Sequence, residues 1–328
     1  MEKIRIGIVG YGNLGRGVEL SVGQNPDMEV CAIFTRRPVS TIRPVGEGIP
    51  VVHMDGVMDW KGKIDVMILC GGSATDLPVQ APKLAQDFNI IDSYDIHAKI
   101  PEHYERVNDA AKSGGTLGII SVGWDPGLFS LNRLYGEVVL PKGDTFTFWG
   151  TGVSQGHSDA IRRIKGVKAA VQYTIPVDSA MEQAREGKGA DLSTREKHTR
   201  DCYVVAHEGA DKDLIEEAIV SMPNYYADYD TKVSFVSEEE LIKNHSKMPH
   251  GGFVIRSGET GGEDRRQVME YSVKIESNPE FTSSVLVCYA RAAYRLSRKG
   301  RTGAKTVFDI APSLLTLKTK EELRRDLL

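Results

Sequence analysis

Four cysteines in 328 residues, none of them in a Cys-x-x-Cys pair, leave no zinc or redox motif to read. Cys31 and Cys70 fall inside apolar runs, which predicts small core residues with reduced thiols in a cytoplasmic protein. No apolar run approaches the ~20 residues that span a bilayer. Residues 1–5 lack the apolar core of a signal peptide. The chain also lacks a strong charge of either sign: its formal net charge is −4. That removes the electrostatic reason to expect nucleic acid or an anionic membrane as a partner. The short basic clusters Arg162-Arg163-Lys165 and Arg298-Lys299-Arg301 read as solvated surface. His157, His198 and His250 show no metal-ligand spacing, so no metal is expected. The string SQGHSDAIRR holds Ser, His and Asp as loop neighbours, whereas a nucleophilic triad is assembled in space. A hydrolase is therefore excluded. There is no internal repeat.

What is present is an ordinary globular composition, 41% hydrophobic and 26% charged, on a chain long enough for two or three lobes. Apolar runs at residues 3–9, 28–34, 51–53, 64–70, 89–92 and 117–122 alternate with helical patterns, notably at 77–87 and 101–112. Short apolar strands separated by helices specify a parallel sheet covered on both faces. The fold class expected is α/β: a doubly wound, Rossmann-type parallel sheet plus a mixed α+β lobe for substrate binding and dimerisation. The pattern changes at GWDPG, residues 123–127. Alternating strand-like runs follow at 144–150, 170–175, 202–206, 231–236, 252–256 and 269–276, which predicts one open sheet. Residues 185–197 read as a mobile loop or an exposed helix. From about residue 282 the spacing is helical again. The expected domains are residues 1–123, with 282–328 returning to them, and residues 124–281. The strand-rich second lobe, with TFTFW and MEYSVKI, predicts a homodimer at least.

VGYGNLGRG places Gly10, Gly12 and Gly15 in G-x-G-x-x-G spacing, directly after a strand and at the start of a helix. Gly10 allows the tight turn, Gly12 lets backbone approach a pyrophosphate, and Gly15 permits close helix–strand packing. The helix N-terminus adds free N–H groups and positive dipole. The loop from Gly10 through Tyr11, Gly12, Asn13 and Leu14 to Gly15 is therefore the expected dinucleotide contact. A tight structural turn is the plainer alternative. Some twenty residues on, an acidic residue usually takes the ribose hydroxyls. Here the second strand ends in Thr35, Arg36 and Arg37. One hydroxyl and two guanidinium forks suit a phosphate dianion, so the cofactor expected is NADP. CGGSATD then ends the fourth strand, and strand ends line the crevice. Cys70, Gly71, Ser73, Ala74 and Thr75 are the further cofactor candidates, although Ser73 or Thr75 fits a helix N-cap equally well.

Asp95 in DSYD and Asp125 in GWDPG stand at strand ends facing the same crevice. Each fits a group that holds an ammonium, and each fits a helix cap. Trp124 and Trp149 fit the core as readily as a site.

The strings GYGNLGR, FTRR, LCGGSATD, DSYDIH, SVGWDPGLFS, TFWGTGVSQGHSDAIRRI, AVQYTIP, MPHGG and SNPEFTSS resemble the meso-diaminopimelate dehydrogenases nearly end to end. These are NADP-dependent D-amino-acid dehydrogenases of bacterial lysine metabolism. The resemblance implies reversible oxidative deamination of meso-diaminopimelate at its D-centre, giving L-2-amino-6-oxopimelate and ammonia. It implies that Asp95 and Asp125 face the reacting amine. Trp124 and the backbone N–H groups of Gln155 and Gly156 would hold the nearby carboxylate. Thr174, Arg200 and His250 would grip the distal carboxylate, with Asn278 near the distal amine. Trp149 is counted with the substrate-binding residues. Another oxidoreductase of this architecture, acting on a sugar, would carry a Lys-Pro pair after the fifth strand. This chain reads SYDIHAKIP there. A non-catalytic NADP sensor would have no use for Asp95, Asp125 and Arg200.

Overall fold

The computed structural model describes residues 3–261 and 265–328. Met1 and Glu2, the head of the N-terminal segment considered above, and residues 262–264 lie outside the described residues. The chain forms two compact units, Met1–Leu131 with Pro279–Leu328, and Asn132–Asn278.

The first unit alternates β1 (Ile4–Val9), α1 (Asn13–Gly23), β2 (Met28–Thr35), β3 (Val51–His53), β4 (Val66–Leu69), α2 (Leu77–Ala85), β5 (Ile90–Asp92), α3 (Ile100–Gly114) and β6 (Leu117–Ile119). All pairings among these strands are parallel. Their sequences explain why. β4 reads Val-Met-Ile-Leu, with all four side chains buried, as a strand covered on both faces must be. Val66 and Ile68 join one apolar cluster with Ile6 and Ile8. Met67 and Leu69 join the other, with Phe34 and Leu77. Each such side chain contributes roughly 1.5–3 kcal/mol by leaving water. The chain runs outward from β1 to β2 and β3, then returns to the other side of β1 as β4. This reversal leaves a crevice beyond the carboxyl ends of β1 and β4.

α4 (Leu128–Val139) leads into the second unit, which holds β7 (Lys142–Trp149), β8 (Gly152–Val153), α5 (Gln155–Arg162), β9 (Val167–Pro176), α6 (Asp178–Arg185), α7 (Thr194–Lys197), β10 (His198–Ala206), α8 (Lys212–Val220), β11 (Asp230–Phe235), α9 (Glu238–His245), β12 (His250–Glu259) and β13 (Arg266–Ile275). The one open sheet expected from sequence is in fact two. One has the order β11-β10-β9-β8 and the other β13-β12-β7. The chain changes sheets between β7 and β8 at Gly150, where φ is +112° and a Cβ would lie 2.1 Å from the Thr174 carbonyl oxygen. Only glycine allows so abrupt a step. The stretch 185–197 is also more ordered than its composition suggests. The Arg185 fork grips Glu270 at 2.8 and 3.0 Å, and Ser193 and Glu196 form a capping box at the start of α7.

The chain ends with α10 (Asn278–Ser297), β14 (Gly303–Lys305) and α11 (Lys320–Leu327). α10 lies so close to α1 that a Cβ on Gly17 would meet Ser283 Oγ at 2.5 Å, and Ser283 donates to the Leu14 carbonyl at 2.9 Å. β14 pairs with β6 as a seventh parallel strand. Its sequence, Gly-Ala-Lys, carries no strand signal. The result is the expected doubly wound sheet with a separate mixed α+β unit. Among the described residues no helix is long and apolar enough to cross a membrane. No group of three or more His, Cys, Asp or Glu side chains there could hold a metal ion.

Candidate active site

In the first unit, the loop after β1 behaves as its spacing predicts. Gly10 has φ +90°, and a Cβ on Gly15 would lie 2.2 Å from the Gly10 carbonyl oxygen. Neither position admits a side chain. Gly12 differs, because nothing lies within 4 Å of where its Cβ would be. Gly12 is the N-cap of α1, and α1 has no side-chain cap and no acid in its first turn. Open space beside uncapped helical N–H groups suits an anion, so the residues present fit a pyrophosphate.

Thr35 is the last residue of β2, and Arg36 and Arg37 lie just beyond it. Thr35 is buried, and its Oγ1 accepts the Arg37 backbone N–H at 3.0 Å. Arg37 reaches across to donate to the Tyr11 carbonyl. Arg36 pairs with Asp76 at 2.6 Å, its side chain 63% exposed. An exposed pair of this kind is worth at most about 1 kcal/mol, so a phosphate dianion competes readily for the guanidinium. Tyr11 and Leu14 pack against the core. The Tyr11 hydroxyl donates to Glu19, and burial, with that carboxylate second, pushes its pKa up to about 12. Glu19 also accepts the N–H groups of Val45 and Gly46, so the Tyr11 side chain helps to secure the 45–46 loop.

Beyond β4, Cys70 donates its N–H to the Val9 carbonyl at 2.8 Å, and burial pushes its thiol pKa up. Ala74 and Thr75 are exposed. The N-cap of α2 is Asp76, so neither Ser73 nor Thr75 takes that position. The Ser73 hydroxyl instead accepts the Asp95 backbone N–H at 3.2 Å and ties two crevice loops together. Gly71 is close-packed, with a Cβ there 2.6 Å from Asp76 Cβ.

Asp95 is exposed and Asp125 half-buried. A residue that sequence reasoning passed over links their loops. Asp92 is fully buried. Its Oδ1 accepts the N–H of Tyr94 at 3.0 Å and of Ser121 at 2.9 Å, and its Oδ2 meets His103 Nε2 at 2.8 Å. Ser121 has φ +55°, a conformation that needs such support. A carboxylate ending a buried apolar strand was the available signal. Trp124 is 7% exposed, edge-on to Phe129 at 5.2 Å.

The second unit draws its candidates from distant segments. Gln155 and Gly156 are the first two residues of α5, which has no side-chain cap and no acid in its first turn. Their N–H groups are thus available to an anion. Gln155 donates to Met248 Sδ at 2.9 Å, and Asn278 donates its N–H to the Met248 carbonyl at 3.0 Å. Gly152 allows His250 to approach, since a Cβ there would lie 2.5 Å from the imidazole ring. Gly152 also pairs with Thr174, and Thr174 with Arg200. Trp149, 39% exposed, donates its N–H to His198 Nε2 at 2.9 Å and stacks on that ring at 5.7 Å.

Arg200 is 6% exposed. One η nitrogen donates to the Thr174 hydroxyl, and the guanidinium carbon sits 3.8 Å from the Tyr229 ring centroid. Burial lowers its pKa, and it forms no ion pair among the described residues. Burial, with Arg200 second, also lowers the pKa values of His157 and His198 to about 4. A buried cation without a carboxylate asks for an anion from outside the chain.

Residues 123–277 match the family model for the diaminopimelic acid dehydrogenase C-terminal domain. The meso-diaminopimelate D-dehydrogenase of Ureibacillus thermosphaericus is 64% identical over the whole of both chains. A mutant meso-diaminopimelate dehydrogenase of Clostridium tetani E88, solved with diaminopimelate, aligns with TM-score 0.93 and 56% identity, over 99% of this chain and 100% of that one. An engineered D-amino acid dehydrogenase bound to NADP+ aligns with TM-score 0.86 and 43% identity over the same shares.

Proposed function

The chain belongs to the meso-diaminopimelate D-dehydrogenase family, and on that footing we propose that it catalyses NADP-dependent, reversible oxidative deamination of meso-2,6-diaminopimelate at its D-centre. The products are L-2-amino-6-oxopimelate and ammonia. The observation that carries the reading is Arg200, buried and without an ion pair among the described residues, beside the Thr174 hydroxyl. That pair suits the carboxylate far from the reacting carbon.

The cofactor, when bound, accepts the hydride that leaves the D-carbon. Gly10, Gly12 and Gly15 with the start of α1 hold its pyrophosphate, and Thr35, Arg36 and Arg37 its 2′-phosphate. Asp95 and Asp125 orient the reacting nitrogen. The N–H groups of Gln155 and Gly156, with Trp124, hold the adjacent carboxylate. His250 joins Thr174 and Arg200, and Asn278 takes the distal amine. Once the nitrogen has lost a proton to give the free amine, loss of hydride leaves an iminium, which water hydrolyses with release of ammonium. Most of the rate enhancement comes from placing the reacting carbon.

Reduced-nicotinamide absorbance tests the reading with meso-, LL- and DD-diaminopimelate against NADP and NAD. Rapid turnover of meso-diaminopimelate with NADP is expected. Equal turnover of the LL isomer, which has no D-centre, would overturn it. A homodimer is part of the proposal, supported by the exposed Leu134, Tyr135, Val138 and Val139 on α4. Sedimentation as a monomer at micromolar concentration removes it. The four free cysteines support a cytoplasmic location, which cell fractionation checks.

A further inference from the structure

β9, β10 and β11 set Thr174, Arg200 and Thr231 side by side, Thr174 in register with Arg200 and Arg200 with Thr231. Residues in register share one face of a sheet. Further along, the same face carries Ala170, Val204 and Phe235 packed with Ile215 and Ile219. It is therefore apolar at one end and polar at the other.

The polar end is unfinished. The Thr174 hydroxyl oxygen accepts from Arg200 and from Gln172 Nε2 at 3.4 Å, which leaves its own proton to donate. Arg200 Nε and Thr231 Oγ1 are buried and have no hydrogen-bond partner among the described residues. Unmade buried donors are destabilising and uncommon in native folds. Two of them on adjacent strands, around a cation with no counter-ion among the described residues, form a place for a ligand with two anionic oxygens. Tyr229 lies two residues before Thr231, its ring under the Arg200 guanidinium. Such stacking fixes the plane of the fork.

We propose that the distal-carboxylate end of the site extends to this third strand. Thr231 is a further donor hydroxyl, and Tyr229 is a positioning residue that holds Arg200 in the plane the carboxylate needs. This rests on reading Arg200 as the carboxylate's partner.

Steady-state kinetics with meso-diaminopimelate at saturating NADP test it. Thr231→Val removes one charge-assisted hydrogen bond and raises KM about tenfold, with a much smaller change in kcat. Tyr229→Leu raises KM to a similar extent, and Tyr229→Phe, which keeps the ring, restores the wild-type value. A merely structural role instead lowers thermal stability and the concentration of active sites, with KM unmoved. Wild-type KM in both Thr231→Val and Tyr229→Leu, alongside a raised KM in Arg200→Met, overturns the extension and leaves the carboxylate reading standing. An unchanged KM in Arg200→Met brings down the reading itself.

Discussion

The two units build their polar sites in opposite ways. The first forms its candidate anion site from neighbours in sequence: three glycines within six residues and the opening turn of α1. Its pairing groups, such as Arg36, lie at the surface. The second draws its candidate groups from β9, β10, α5 and the start of β12, spread over more than 90 residues of the chain. It buries Arg200 with no ion-pair partner among the described residues. A phosphate is recognised by backbone N–H groups, which a short loop supplies alone. A carboxylate on a flexible substrate is recognised by side-chain forks, which a sheet delivers from several strands. One kind of site is written locally, and the other exists only after folding.

The contrast can be broken experimentally, and the largest effects are expected at the strand ends of the first unit. Asp95→Asn and Asp125→Asn keep shape and remove charge. Each is expected to lower kcat/KM for meso-diaminopimelate by ~10–1000-fold, the range for a positioned charged group. Normal kinetics with a lower melting temperature would reduce either aspartate to a structural role. In the second unit, Arg200→Met removes a charged fork and is expected to lower kcat/KM about 100-fold, at ~1.5–3 kcal/mol for each charged hydrogen bond lost. The KM for NADP stays as it was. If NADP binding weakened equally, the functional division between the units would fail.

The reverse dissociation is smaller. Arg36→Ala with Arg37→Ala is expected to raise the NADP Michaelis constant at least about tenfold through lost charged hydrogen bonds. Activity with NAD changes little. Retention of wild-type NADP preference would refute the phosphate assignment.

The smallest expected difference is in pH response. His157 and His198, both in the second unit, are held to about 4, first by burial and then by Arg200. Their unfolded values lie near 6.5. Between these limits the unfolded chain binds more protons, so stability falls as pH drops from about 6.5 to about 4 and levels off below. Amide exchange in β9 and β10 is therefore expected to quicken over that window relative to β1 and β4. Identical pH dependence in the two units would count against it.

Local order explains what was legible. The glycine loop, Thr35, Arg36 and Arg37 could be read because strand, turn and helix follow one another in sequence. The seventh strand could not, because Gly-Ala-Lys has no periodicity and gains its place only by pairing with β6. The division of the second unit into two sheets was hidden for a similar reason. It depends on Gly150 passing against the Thr174 carbonyl oxygen, a contact between residues 24 apart. Within the candidate site, Asp92 stood in plain view at a strand end. Its partner His103, eleven residues on, carried no sign of the pairing.

The sequence by itself determined the doubly wound sheet, the glycine loop after β1 and the basic strand end, because each depends on residue type at short separation. Only the tertiary structure decided that Arg200 is buried without a counter-ion among the described residues, that Tyr229 lies beneath it, and that Thr231 stands beside it. Strand register and burial set those relations, and both are properties of segments that meet only when the sheet has formed.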